Sequence, residues 1–210
     1  MSGLSYFSLD TESTGLSCDF HELIEFSVIR HNTMTQCTRV IRAENPRSAS
    51  PEALKITGRT YADLNKGISK EEGAKILVDF LNSDGLSPAH RVIVAHNAAF
   101  DRRFVHAFCR KAGLSFPADL WLDSMKMARA YLKQKKMVKQ SVKLDNCLKI
   151  AGLNLNQSTV HSASEDAQHL FAFWSKMKDQ VDYLPMIETK PFIGGSSDDR
   201  TTCPEDHQEE

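Results

Sequence analysis

Residues 5–16 read SYFSLDTESTGL. Tyr6 and Ser8 alternate with Phe7 and Leu9, the period of two that marks a strand over residues 5–10. Asp10 and Glu12 then stand one residue apart at its end. In an extended chain residues i and i+2 point to the same face, roughly 6–7 Å apart. Two carboxylates so placed repel one another. One reading leaves them facing water at a solvated strand end. The other puts a divalent cation between them. Mg2+ suits that place, because it favours hard oxygen ligands and needs few protein carboxylates where phosphate oxygens supply the rest.

Outward from this stretch the chain alternates between the two periods. ELIEFSVIRHN (22–32) and TQCTRVIRA (35–43) are β-rich runs joined in hairpin fashion at Thr33-Met34. NPRSASPEALKITG (45–58) reads as a Pro-bearing connection. Ala74, Leu77, Val78 and Leu81 then follow a helical period over residues 70–82. RVIVAHN (91–97) is a buried-strand run, and the helix after it carries Phe100, Phe104, Ala107 and Phe108 on one stripe up to Gly113. ADLWLDS (118–124) reads as a strand and MKMARAYL (125–132) as a helix. LDNCLKIAGL (144–153) and SEDAQHLFAFWSKM (164–177) read as two more helices. Antiparallel-type strands followed by strand–helix alternation predict an α/β domain, a mixed sheet flanked by helices.

With 41% apolar and 25% charged residues, 210 residues suit one sizeable soluble domain. A net charge of −1 excludes a blanket polyanion binder, so attraction to nucleic acid must come from local features. One such feature is the segment 126–143, where Lys126, Arg129, Lys133, Lys135, Lys136, Lys139 and Lys143 occur without an acid. It reads either as a track for a phosphate backbone or as a solvated face. No apolar run approaches the roughly 18 residues that cross a bilayer, so no membrane association is expected. MSGLSYFSLD lacks the pattern of a signal peptide. The cysteines, Cys18, Cys37, Cys109, Cys147 and Cys203, form no CxxC pair. Reduced, mostly buried thiols and a cytoplasmic location follow as expectations, with the nucleus left open. From residue 191 acids outnumber the single Arg200, which predicts a folded domain over 1–190 and an acidic, disordered tail over 191–210.

Two further acidic clusters matter. In AHNAAFD (95–101) Asn97 suits a helix N-cap and places Asp101 in the first turn, where the helix dipole favours a carboxylate. In VHSASEDAQ (160–168) Ser162 and Glu165 fit a capping box, with His161 in the preceding loop and Asp166 in the first turn. Each has a plain reading as a surface residue or a dipole-favoured acid. Together with Asp10 and Glu12 they form an ordered set.

In that set the sequence resembles the DEDDh exonucleases, the DnaQ-like proofreading branch of the ribonuclease H-like superfamily. LDTESTGL (9–16), VAHNAAFD (94–101) and HSASEDA (161–167) match its three motifs, with secondary matches at 51–60, 122–131 and 143–153. The likeness covers residues 4 to 180. His161 stands where a sister subgroup has tyrosine, and Thr57-Gly58 where the family often has His-Gly. The resemblance implies a five-stranded mixed sheet and 3′–5′ hydrolysis of phosphodiester bonds with two Mg2+ ions, for which Mn2+ substitutes. It implies Asp10, Glu12, Asp101 and Asp166 as metal ligands and His161 as general base. Thr11, Ser13, Thr14, Gly15, Leu16, Asn97 and Phe100 would contact substrate. Leu16 reads equally as a wedge beside the terminal base or as core, and Phe100 as cleft or core stripe. The implied partners are 3′ ends of single-stranded DNA or RNA, with a polymerase or repair partner unspecified. An endonuclease of the same superfamily acting on RNA, or a non-catalytic nucleic-acid-binding module, are the alternatives. Asp10-x-Glu12 with His161 disfavours the first, and the full ligand set the second.

Overall fold

The computed structural model describes residues 3–153 and 160–191. The acidic stretch predicted as a tail lies outside the described residues from 192 onward. Within the described chain the alternating patterns become β1 (Ser5–Ser13), β2 (Leu23–Arg30), β3 (Gln36–Val40), β4 (Arg91–Ala95), β5 (Leu120–Asp123) and β6 (Glu188–Thr189). They form one mixed sheet ordered β3-β2-β1-β4-β5-β6. The first three strands pair antiparallel, β1 pairs parallel with β4 and β4 with β5, as the α/β reading requires. Among the described residues six strands replace the expected five. β6 is a two-residue strand antiparallel to β5, too short to show a period in sequence.

Among the described residues six α-helices flank the sheet: α1 (Pro51–Thr57), α2 (Lys70–Asn82), α3 (Ala98–Lys111), α4 (Ser124–Gln134), α5 (Leu144–Ile150) and α6 (Ala163–Met177). The predicted connection over 45–58 therefore holds a helix. Ser50 caps it, accepting from Ala53 N at 3.1 Å, and Pro51 opens it with its ring preset to helical φ. One face of the sheet presents Phe7, Leu9, Ile93 and Trp121 to Ala74, Leu77 and Leu81 of α2 and Phe104, Val105 and Phe108 of α3. The other presents Val92, Val94 and Leu122 to Met127 of α4, Leu148 of α5 and Leu170, Phe173 and Trp174 of α6. β4 is apolar throughout its last four residues because it is covered on both sides. Its first residue, Arg91, is buried, with its guanidinium paired to Asp84 at 2.7 Å.

The β2–β3 turn is wider than the two residues predicted, with Arg30 N donating to Thr35 O at 2.9 Å and Met34 at φ 55°. β1 is longer than predicted. It runs to Ser13, so Asp10 and Glu12 lie within the strand and the ladder to β2 is irregular only between Glu12 and Ser13. Cys37, Cys109 and Cys147 are buried free thiols and Cys18 is half-buried. Burial pushes Cys109 up to about 12 and Cys147 up to about 11, which keeps them protonated and inert. Cys203 lies outside the described residues. Among the described residues no helix is long and apolar enough to cross a membrane.

Candidate active site

The topology brings the acidic clusters together. β1 sits at the centre of the sheet, between the antiparallel branch and the parallel one. The carboxyl ends of β1 and β4 lie side by side, the point in an open α/β sheet where ligand sites form. β1 delivers Asp10 and Glu12. β4 hands over to α3, whose first turn carries Asp101. α6 crosses β1 and β2 on the opposite face and carries Asp166 in its first turn, with His161 in the loop before it.

One ligand atom from each of Glu12, His161 and Asp166 falls within 4.8 Å of the others. His161 Nδ1 lies 3.0 Å from Asp166 Oδ2. Asp101 is buried, and its Oδ1 accepts a 2.8 Å hydrogen bond from Thr11 Oγ1. Asp10 sits among them. Burial holds its carboxyl well above the usual range, and the charges of Asp101, Glu12, Asp166 and Glu25 add to that. Burial pushes Glu12 up to about 7, with Asp166 adding to the rise and His161 and Arg59 opposing it. Asp101 is pushed up to about 8 by burial, against the pull of the Thr11 hydrogen bond. His161 is raised, mainly by its hydrogen bond to Asp166. Desolvated carboxylates that repel one another are what a divalent cation would relieve. The carboxylate oxygens form a hard donor set that fits a divalent cation, with the His161 imidazole beside it.

Both predicted N-caps hold their positions without making the predicted bonds. Asn97 adopts a left-handed backbone, φ 69° and ψ 55°, and no side-chain cap forms. Asn tolerates that region, which turns the chain sharply from β4 into α3. Ser162 is also an N-cap without a cap bond, so no capping box closes. Its Oγ turns to Glu25 Oε1 at 3.5 Å.

The residues expected to contact substrate divide into two groups. Thr11, Ser13 and Thr14 are buried, with their hydroxyls already engaged. Thr11 serves Asp101, Ser13 Oγ donates to Gly15 O at 2.7 Å, and Thr14 Oγ1 accepts from Glu22 N at 2.8 Å. The Ser13 and Thr14 bonds tie down the turn that follows β1. Gly15 makes its close approach to a side chain: a Cβ there would stand 2.3 Å from the His21 ring. Leu16, by contrast, is 80% exposed, which rules out its reading as core. Phe20 on the same turn is 79% exposed. Asn97 is exposed, and Phe100 is half-buried against Phe104, ring centroids 4.8 Å apart, which favours its core-stripe reading.

Two features escaped the sequence. Glu25 lies directly opposite Glu12 in the β1–β2 ladder, both buried, with the Arg59 guanidinium paired to Glu25. An acid inside the apolar run LIEFSVIR was the available signal. The Thr57-Gly58 turn touches the His161 loop. His161 N donates to Ile56 O at 3.0 Å, and a Cβ on Gly58 would come within 2.6 Å of Val160. Of the basic segment, Lys126 pairs with Glu188 on β6, while Lys133, Lys135, Lys136, Lys139 and Lys143 are exposed. The segment closes on the sheet where His96 Nε2 meets Val142 O at 2.8 Å.

The family described as Exonuclease matches residues 7–173. A DNA polymerase III PolC-type protein of Thermotoga maritima is 27% identical over 90% of this chain and 14% of its own length. The PolC-type protein of Mycoplasmopsis pulmonis is 29% identical over 59% of this chain and 8% of its own. The chain thus spans about a seventh or less of the curated relatives it matches. Among solved structures, the nuclease domain of 3'hExo, a DEDDh family member bound to rAMP, superposes with a TM-score of 0.70 at 19% identity, covering 90% of this chain and 98% of that one. E. coli ExoI with single-stranded DNA gives 0.69 at 14% identity, covering 85% and 41%.

Proposed function

Because the chain belongs to the exonuclease family, we propose that it shortens single-stranded or frayed nucleic acid from the 3′ end, releasing 5′-mononucleotides. The observation that carries this reading is the convergence of Asp10, Glu12, Asp101 and Asp166 with His161 at the carboxyl ends of β1 and β4. Asp10, Glu12, Asp101 and Asp166 would hold two Mg2+ ions, or Mn2+ in their place. Such a pair supplies Lewis-acid stabilisation of the charge that builds on the phosphate.

The chain's own groups do the rest. His161 directs Nδ1 at Asp166, so a neutral ring keeps its lone pair on Nε2 and can take the proton of the attacking water. As the water oxygen bonds to phosphorus, the bond to the 3′ oxygen of the preceding nucleotide breaks. Exposed Leu16 suits a wedge beside the terminal base. Exposed lysines over 133–143 suit the phosphates further along the strand. The PolC-type relatives carry the matching segment in far longer chains, which supports work alongside a polymerase.

The test is digestion of 5′-labelled single-stranded DNA and RNA with Mg2+ or Mn2+, with Asp10→Ala as control. A ladder of shortening products is expected from the unaltered protein and none from the control. Intact ends under every condition would refute the proposal.

A further inference from the structure

Glu12 and Glu25 face each other across β1 and β2, and both are buried. Directly opposed like charges destabilise a sheet, so something must hold Glu25. That group is Arg59, which follows the C-terminal turn of α1 and pairs with the Glu25 carboxylate. The side chains are 17% and 8% exposed, so removing either partner would leave a shielded charge without its counter-ion. The same turn supports the loop that carries His161. Ile56 O accepts from His161 N, Gly58 abuts Val160, and Ser162 Oγ reaches Glu25 from the other side.

We propose that Arg59 is a positioning residue that withholds Glu25 from the cation site and, through the α1 turn, ties the His161 loop to the sheet. Glu25 is an oxygen donor next to Glu12 that the cation would otherwise recruit. With Arg59 on it, the ligand set stays Asp10, Glu12, Asp101 and Asp166. This inference rests on the exonuclease reading for its activity arm alone.

The experiment pairs Mn2+ binding by calorimetry with steady-state kinetics on a 5′-labelled oligonucleotide, for Arg59→Ala, Arg59→Lys, Glu25→Gln and the double variant. Freed Glu25 makes Arg59→Ala bind Mn2+ about threefold or more tightly, while kcat falls about 10- to 100-fold with KM little changed. Arg59→Lys restores most of kcat. Adding Glu25→Gln to Arg59→Ala returns Mn2+ affinity to that of the unaltered protein and recovers part of kcat. Unchanged affinity and kcat in Arg59→Ala, or a loss that Glu25→Gln does not relieve, overturns the inference. If Arg59→Ala fails to fold, Glu25→Gln decides: unaltered Mn2+ affinity supports withholding, and a tenfold loss would make Glu25 a ligand and overturn it. A protein that binds Mn2+ yet shortens no polynucleotide refutes the exonuclease reading, and the Mn2+ comparison then judges Arg59 by itself.

Discussion

Asp10 is the residue on which the site's charge balance turns. It is desolvated and faces four other carboxylates, so removing its charge should do two opposite things. Asp10→Asn should raise the melting temperature of the metal-free protein at pH 8, because repulsion is relieved. It should also lower kcat by about a thousandfold, the equivalent of several kcal/mol of lost charge stabilisation. Calorimetry and single-turnover assays on the same preparation check both. His161 sets a second expectation. A base must be neutral, and the hydrogen bond to Asp166 raises its pKa. Activity should therefore fall as pH drops and His161 gains its proton. A flat profile from pH 5 to 8 would remove His161 from that role.

Elements place these side chains by means that loops alone lack. The α1 turn ends on Gly58 in a left-handed conformation, φ 63°, which a side chain adopts only under strain. Gly58→Ala adds that strain, about 1 kcal/mol, and drives a methyl at Val160, next to His161. The expected result is a modest fall in melting temperature with a larger, about tenfold, loss of kcat. Equal losses in both, measured by calorimetry and kinetics, would mean that the turn is merely structural. The segment after α4 makes a different kind of prediction. Replacing Lys135, Lys136 and Lys139 by Ala should reduce the slope of log binding constant against log salt by about 2, at about 0.7 per phosphate contact on a single strand. An unaltered slope in fluorescence-anisotropy titrations would assign these lysines to a solvated face.

Across the whole molecule the buried acids make stability depend on pH and cation together. Glu12, near 7, and Asp101, near 8, hold protons in the folded state that the unfolded chain loses near pH 4. Folding therefore binds protons between about pH 4 and 8, and stability falls as pH rises through that window. His161, raised in the folded state, acts in the same direction. Asp84, held low by Arg91, opposes this only below its usual titration range. The metal-free protein should lose roughly 5–10 °C of melting temperature from pH 5 to pH 8. Millimolar Mg2+ should restore most of that loss at pH 8 and little at pH 5, since protonated carboxyls bind no cation. Equal Mg2+ effects at both pH values, in scanning calorimetry, would show that the acids do not hold the ion.

Strand and helix periods are properties of neighbours in the chain, so the alternation in SYFSLD, the stripe on α3 and the order of the acidic clusters were all legible in the sequence. So was the motif logic that put Asp10, Glu12, Asp101, His161 and Asp166 in one set. The sixth strand was not legible, because two residues carry no period and gain their identity only by pairing with β5. Nor were the failed caps at Asn97 and Ser162, since a cap bond competes with whatever else the fold brings within reach. Glu25 opposite Glu12, Arg59 on Glu25 and the inward hydroxyls of Thr11, Ser13 and Thr14 depend on register and packing between segments far apart in sequence. Local chemistry marked out the candidate groups. The tertiary structure decided which groups hold them, because contacts of that kind exist only once the sheet has closed.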